Sequence, residues 1–370
     1  MNAERLKGVV DFLLARERKI NIQQALQAFV SALNNLVGSP THPPYQTEVA
    51  ERLTELDNGV RKFYNQLTPA EIKSIEGIGG LPFFSSELVD TLKDAVAQNA
   101  MTPAVVQQRT NELIGKRQAF LETLTNTSNS LTQLGINSDS LEEGEAEIGF
   151  QIPRDIFENE LDGLIGELRA IRRIIRAFSE LATGSVEPIE VRQISTSDPF
   201  FFFGLDVATV TQLGLVVVWA LDRWKQVEEI RKLRSETRKN KSFSEEEIKT
   251  FFDKKIEDTV KAAIDQKTTE LVGPADGKAG RKEEQRADIS WALESLLARI
   301  ERGMTVEVRF LPPTASATDE SGGASGQTED FQTLSELAPQ LVFPAADAAP
   351  VLAIPRAEPE KSPRKAKAAE

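Results

Sequence analysis

The strongest constraint on the fold is one apolar stripe between residues 157 and 178. Its members are separated alternately by four and three residues, the spacing at which side chains return to one face of an α-helix. They are Phe157, Leu161, Leu164, Leu168, Ile171, Ile175 and Phe178. The stripe predicts a helix over about 155–182 whose apolar face packs on another helix, in the same chain or in a second copy.

Residues 1–140 contain further stripes of the same kind. The clearest one consists of Val49, Leu53, Leu56, Val60, Phe63 and Leu67. Gly38 with Pro40, and the glycine-rich stretch 77–80, interrupt the helical spacing as stop signals do. We therefore predict an all-helical domain over 1–140, built as a bundle or as helical hairpins.

An acidic, polar stretch near 136–147 reads as a linker, and the pattern changes after it. Three short segments alternate apolar and polar residues, which predicts strands at about 148–152, 189–194 and 304–310. Helical spacing predicts helices at about 155–182, 206–240, 244–272 and 281–302. The order β-α-β-α-α-α-β over 141–312 predicts a small α+β domain, with three short strands covered by long helices.

From residue 313 to 370 the chain is rich in Ala, Ser, Pro and Gly, which predicts a disordered tail. One segment in it is amphipathic, with Phe331, Leu334 and Leu337 on one side. Such a motif can fold on a protein partner, although an inert tail segment is the simpler interpretation. The basic end, 361–367, carries too few charges to indicate a ligand.

Composition restricts the chemistry that the chain can perform. It has no cysteine and a single histidine, His42, in a proline-rich loop, so thiol catalysis and multi-histidine metal sites are excluded. A net charge of −13 gives no strong signal for nucleic-acid binding. No cofactor motif is present. The lack of cysteines and of a signal-peptide pattern predicts a cytoplasmic protein.

The apolar run 200–221 admits two interpretations. It is long enough to cross a bilayer, and basic residues follow it, as they follow a membrane anchor. Asp206 lies inside the run, however, and the helical part after it is short, which favours a helix buried in the protein core.

These observations favour a non-enzymatic interaction or scaffold protein that binds a protein partner or itself, with a homo-oligomer as the expected form. The regular stripe at 157–178 is the main reason. Two alternatives stay open. One is a membrane-associated or inducibly membrane-inserting stress or defence protein of bacteria that uses 200–221, and the other is an enzyme of unknown class.

Overall fold

The structure is a computed structural model. It describes residues 3–65, 67–99, 101–137, 141–186, 188–195, 199–237, 245–273, 280–313, 324–343 and 349–355. The chain divides into two compact units, residues 1–140 and 141–370, and each is described by itself.

The first unit is helical throughout its described residues. Its helices are α1 (Ala3–Ile20), α2 (Ile22–Gly38), α3 (Pro43–Tyr64), α4 (Pro69–Gly77), α5 (Leu81–Phe84), α6 (Ser86–Gln98) and α7 (Pro103–Gln133). Prolines occupy the first turns of α3, α4, α5 and α7, where a missing N–H costs little. At α4, Thr68 and Glu71 form a reciprocal capping box. The predicted all-helical architecture is confirmed.

A buried arginine joins four helices of this unit. Arg117 of α7 is fully buried and donates to Oε2 of Glu17 at 2.6 Å and to Oε1 of Gln23 at 2.9 Å. It also donates to the Phe83 carbonyl, and its guanidinium lies over the Phe84 ring. The guanidinium of Arg117 therefore has its hydrogen-bond partners inside the core.

The second unit combines a small sheet with long helices. Its elements are β1 (Ala146–Gln151), a 3₁₀ turn (Arg154–Ile156), α8 (Leu161–Thr183), β2 (Glu190–Ser195), β3 (Phe200–Leu205), α9 (Val207–Thr237), α10 (Glu245–Val272), α11 (Arg281–Ile300), β4 (Thr305–Phe310), α12 (Ala324–Leu337) and a 3₁₀ turn (Ala338–Gln340). The predicted class, mostly α with a small α+β domain after the helical one, is confirmed.

The four strands form an antiparallel sheet in the order β2-β3-β1-β4. With α8 between β1 and β2, and α9 to α11 between β3 and β4, this is the split β-α-β arrangement, its second helix expanded to three. Ile148 lies opposite both Phe203 and Val308 and faces the helices. The helices cover this face and create the core.

Strand β3 was not predicted, so the expected count of three strands is corrected to four. Phe200–Phe203 shows no alternation because side chains on both faces are enclosed: Phe201 and Phe203 join the core, and Phe202 is only 1% exposed. A strand enclosed on both faces reads as a continuous apolar run. Gly149 makes the second face possible, since a Cβ there would lie 2.5 Å from the Phe202 ring.

Helix α8 begins later than predicted. Glu158 and Asn159 both have positive φ values, 53° and 57°, which no α-helix accommodates. The helix therefore starts at Leu161, and Phe157 lies in the preceding turn. Gly163 permits this turn, because a Cβ there would lie 2.5 Å from the Phe157 carbonyl oxygen.

Helix α9 is the centre of the second unit. Helices α8, α10, α11 and α12 contact it, and so do strands β1 and β4. This encloses its apolar first half, including Val210, Leu213, Val217 and Ala220. No helix in the described part of the chain is long and apolar enough to cross a membrane.

Two segments of the predicted tail have defined structure, which corrects the expectation of disorder for them. Helix α12 with the 3₁₀ turn after it, and residues 349–355, pack on the core of the second unit. The physical reason is that their apolar residues find a surface on their own chain. Residues 314–323, 344–348 and 356–370, the basic end among them, lie outside the described residues.

An ion pair inside the second unit joins α8 to α11. Arg299 donates from Nε to Oε2 of Glu167 at 2.7 Å and from Nη2 to Oε1 at 3.0 Å. Its Nη1 donates to the hydroxyl of Ser295. All three residues are buried, so the two charges depend on each other.

We predict that Arg299→Met lowers the free energy of unfolding of the second unit by about 3–5 kcal/mol, because it leaves the Glu167 carboxylate buried and unpaired. Arg281→Met is the matched control, since it breaks the exposed pair with Glu180 and should cost about 1 kcal/mol or less. All three tryptophans, at 219, 224 and 291, lie in this unit, so urea unfolding followed by their fluorescence reports it alone. Equal losses in the two variants would contradict the prediction.

Candidate functional site

The stripe that dominates the sequence does not form one surface. Ile171, Ile175 and Phe178 are part of the core, and Leu164 and Leu168 are half-buried against it. Phe157 is buried in the turn before α8. Of the stripe, only Leu161, at the first turn of α8, stays largely exposed, at 73%. Ile165, one turn further on, is 39% exposed.

The structure brings the predicted tail motif together with α9. Phe331, Leu334 and Leu337 are all buried, and α12 lies along α9 and β4. The Phe331 ring lies 6.3 Å from the ring of Phe310 at the end of β4. We call the receiving surface, formed by Thr211 and Gly214 of α9 with Phe310, the tail groove.

Gly214 determines how closely α12 approaches α9. A Cβ at this position would lie 2.8 Å from Cδ1 and 3.1 Å from Cδ2 of Leu337. Both distances are shorter than ordinary van der Waals contact between carbon atoms. The glycine therefore provides the space that the Leu337 side chain fills, at a position where any other residue except proline would favour the helix more.

One carboxylate of α12 is unfavourably placed. Burial raises the pKa of Asp330 above the ordinary value of an aspartate carboxyl, and the negative charge of Asp206 raises it further. A hydrogen bond with the Thr211 side chain opposes this shift, and the charge of Glu329 adds to it. The docked position of α12 therefore favours the protonated form of Asp330.

A second contact holds residues 349–352 by their backbone. Glu301, at the end of α11, accepts the N–H groups of Val351 and Leu352, both at 2.8 Å. Arg302 donates to the Leu352 carbonyl at 2.6 Å, and Arg231 of α9 donates to the Ala349 carbonyl at 3.2 Å. We call Arg231, Glu301 and Arg302 the Glu301 clamp.

The charges of the clamp are closely coupled. Arg231 also donates to Oε1 of Glu301 at 2.6 Å, and the Glu301 side chain is completely inaccessible. Burial lowers the pKa of Arg302, against the charge of Glu301, which raises it. Arg302 additionally donates to the Ala298 carbonyl at the end of α11. The clamp is thus directed at peptide groups rather than at side chains.

A separate cavity of about 310 Å³ lies beside the first turn of α9. Arg192 donates twice to Glu145 there, each time at 2.6 Å, and these bonds with the Glu142 backbone N–H lower the pKa of Glu145 to about 2. Asp206 caps α9 through the Ala208 N–H. Glu145 and Arg192 are thus paired with each other, and Asp206 serves as a helix cap.

Among the described residues, no group of three or more His, Asp or Glu side chains could hold a metal ion. Comparison with known proteins finds no matching family model, no matching curated protein and no matching solved structure. The candidate site therefore rests on geometry alone, and it consists of the tail groove with the Glu301 clamp.

The sequence indicated one half of this site. The spacing of the tail motif was recognisable, although its own chain, rather than a separate partner, holds it here. The clamp was not predicted, because Glu301 and Arg302 look like ordinary charges at the end of a helix. The only signal was the short apolar segment between Pro350 and Pro355.

We predict that Asp330→Asn strengthens the docking of α12 at neutral pH. Because the pKa of Asp330 is raised in the docked state, docking is strongest when the carboxyl is protonated and weakens as pH rises through that pKa. Amide hydrogen-exchange protection of α12, corrected for the intrinsic pH dependence of exchange, should fall as pH rises from the ordinary titration range of an aspartate carboxyl through the raised pKa of Asp330 in the unmodified chain, and less in the variant. Identical pH profiles would exclude this role of Asp330.

Proposed function

We propose that this chain is a cytoplasmic, non-enzymatic interaction protein and that the tail groove is a binding surface for an amphipathic helix. One observation carries the proposal: α12 buries three residues at 331, 334 and 337 in a groove whose floor is a glycine. This is how helix-in-groove recognition works, with apolar anchors on successive turns filling a preformed surface.

The position of α12 in the chain supports a binding role. It follows β4 only after the stretch 314–323, and it lies on a unit whose sheet is already complete without it. Because α12 belongs to the same chain as the groove, it competes with any free ligand as an intramolecular one, at an effective concentration on the order of millimolar. The groove is therefore occupied in this chain unless a partner competes.

The two alternatives remain predictions of the sequence. Membrane insertion through 200–221 would require β3 and the first half of α9 to leave the core that now encloses both. An enzymatic role would need a pocket with reactive side chains, whereas in the cavity beside α9 Glu145 is paired with Arg192 and Asp206 caps the helix. Neither alternative has an observation in its favour that equals the occupied groove.

The proposal predicts that a free peptide with the sequence of 324–343 binds the groove once α12 is displaced. The full chain carrying Phe331→Asp and Leu334→Asp supplies the vacant groove, because buried charges expel the helix. Fluorescence anisotropy of the labelled peptide measures binding. Adding Gly214→Val to this chain should weaken binding at least about tenfold, since its methyl groups occupy the space of Leu337.

A matched peptide makes this experiment specific. Leu337→Ala in the peptide removes the clashing side chain, so it should restore part of the binding to the Gly214→Val chain while weakening binding to the chain with glycine. Non-specific adhesion to apolar surface would not depend on this combination of changes at Gly214 and Leu337. If the chain with Phe331→Asp and Leu334→Asp stays folded but binds no peptide, the proposed function is overturned.

Self-association is a second form of the interaction role, and the exposed start of α8 favours it. Leu161 and Ile165 lie one turn apart and present an apolar patch. Leu164 and Leu168, in contrast, already pack on the core. Only the exposed pair can therefore be changed without disturbing the fold.

We predict that Leu161→Asp with Ile165→Asp converts an oligomer of the full chain into a monomer, measured by size-exclusion chromatography with light scattering. Acidic residues suit the first turns of a helix, so α8 should persist, and far-UV circular dichroism checks this. Leu233→Asp, which alters an exposed apolar residue of α9, is the control and should leave the mass unchanged. Equal masses for all three chains would exclude this patch as the contact.

A further inference from the structure

The segment held by the Glu301 clamp reads Ala-Pro-Val-Leu-Ala-Ile-Pro over 349–355. It has neither helical nor strand structure, and its contacts with the clamp are backbone hydrogen bonds. Leu352 is its buried side chain, and Val351 and Ile354 are half-buried against the core. The segment therefore has the features of a short bound peptide: backbone groups fix its path and one leucine anchors it.

The clamp is poorly suited to stabilising the fold alone. Glu301 stands at the C-terminus of α11, where the helix dipole disfavours a negative charge. Its side chain is also completely buried, and desolvation of a buried ion pair can cancel the attraction within it. Apolar residues could hold a tail there at least as well. What the charges add is selectivity for the two adjacent N–H groups that Glu301 accepts.

The geometry defines the ligand that fits. This ligand presents two successive N–H groups to one carboxylate and then a carbonyl to Arg302. The second of these two residues carries an apolar side chain. The residue before the first N–H can be proline, as Pro350 is, because no bond to its nitrogen is needed. Proline also reduces the conformational freedom that binding removes.

We propose that the Glu301 clamp is a binding site for an extended peptide of a partner protein, with the pattern proline, apolar residue, leucine, and that 349–355 occupies it as an internal competitor. This inference rests on the interaction role proposed above and names a second feature of the partner. Because the clamp contacts mainly backbone, it accepts different sequences that share this pattern.

The test uses the full chain with Leu352→Asp, which removes the apolar anchor of the internal segment. The probe is a labelled, end-blocked peptide with the sequence of 349–355, measured by fluorescence anisotropy. We expect saturable binding to this chain. We expect binding at least about tenfold weaker to the unmodified chain, whose own segment competes at a millimolar effective concentration.

Two changes examine the backbone contacts. Glu301→Gln, added to the Leu352→Asp chain, places a donor opposite a donor and should weaken binding at least about tenfold, whereas Glu294→Gln on the exposed side of α11 should not. In the peptide, Val351→Pro removes one N–H and should weaken binding similarly without altering the protein. Tryptophan fluorescence confirms that each chain stays folded.

The outcomes separate the two proposals. Failure of the peptide to bind the Leu352→Asp chain, or equal binding to the Glu301→Gln and Glu294→Gln chains, overturns the clamp as a peptide site. Equal binding to the unmodified and Leu352→Asp chains overturns the internal competition. In all of these chains α12 still fills the tail groove, so none of these results changes the outcome of the 324–343 peptide experiment.

Discussion

The first half of α9 is mostly apolar and mostly buried, and the second unit is built around the need to enclose it. A helix that is apolar over most of its surface requires neighbours on most of its sides. The sheet, α8, α10 and α11 supply most of them, and α12 supplies another. The glycine at 214 lies under α12, where the closest approach is needed. The tail therefore packs on this unit because α12 covers part of the apolar surface of α9.

Buried charges determine orientation in a structure whose apolar contacts are otherwise interchangeable. Arg117 connects α7 with α1 and α2, and the Glu167–Arg299 pair connects α8 with α11. Apolar helix faces tolerate sliding and rotation, whereas a bidentate ion pair in a dry interior has one satisfactory geometry. Glu301 applies a similar constraint to a segment that has no secondary structure of its own, since its carboxylate accepts the N–H groups of two successive residues.

Regular spacing predicted most helices of this chain, because a repeat of three and four residues has one simple explanation. It could not indicate what each stripe contacts: α8 turns Phe178 into the core and leaves Leu161 outside, although both belong to the same stripe. Strand β3 escaped prediction since four consecutive phenylalanines carry no periodicity. The clamp escaped because Glu301 and Arg302 become a site only when a segment some 50 residues later reaches them.

The covalent tether sets a requirement for any partner. A segment attached to the unit that binds it competes at a millimolar effective concentration, so a free ligand of equal affinity at micromolar concentration displaces little of it. The tail itself combines two weak elements, a helix in the groove followed by an extended segment in the clamp. A partner with the same two elements in the same order replaces both at once, and its second contact then forms as an intramolecular step. Binding to groove and clamp together is therefore the physically consistent way for another protein to take the place of the tail.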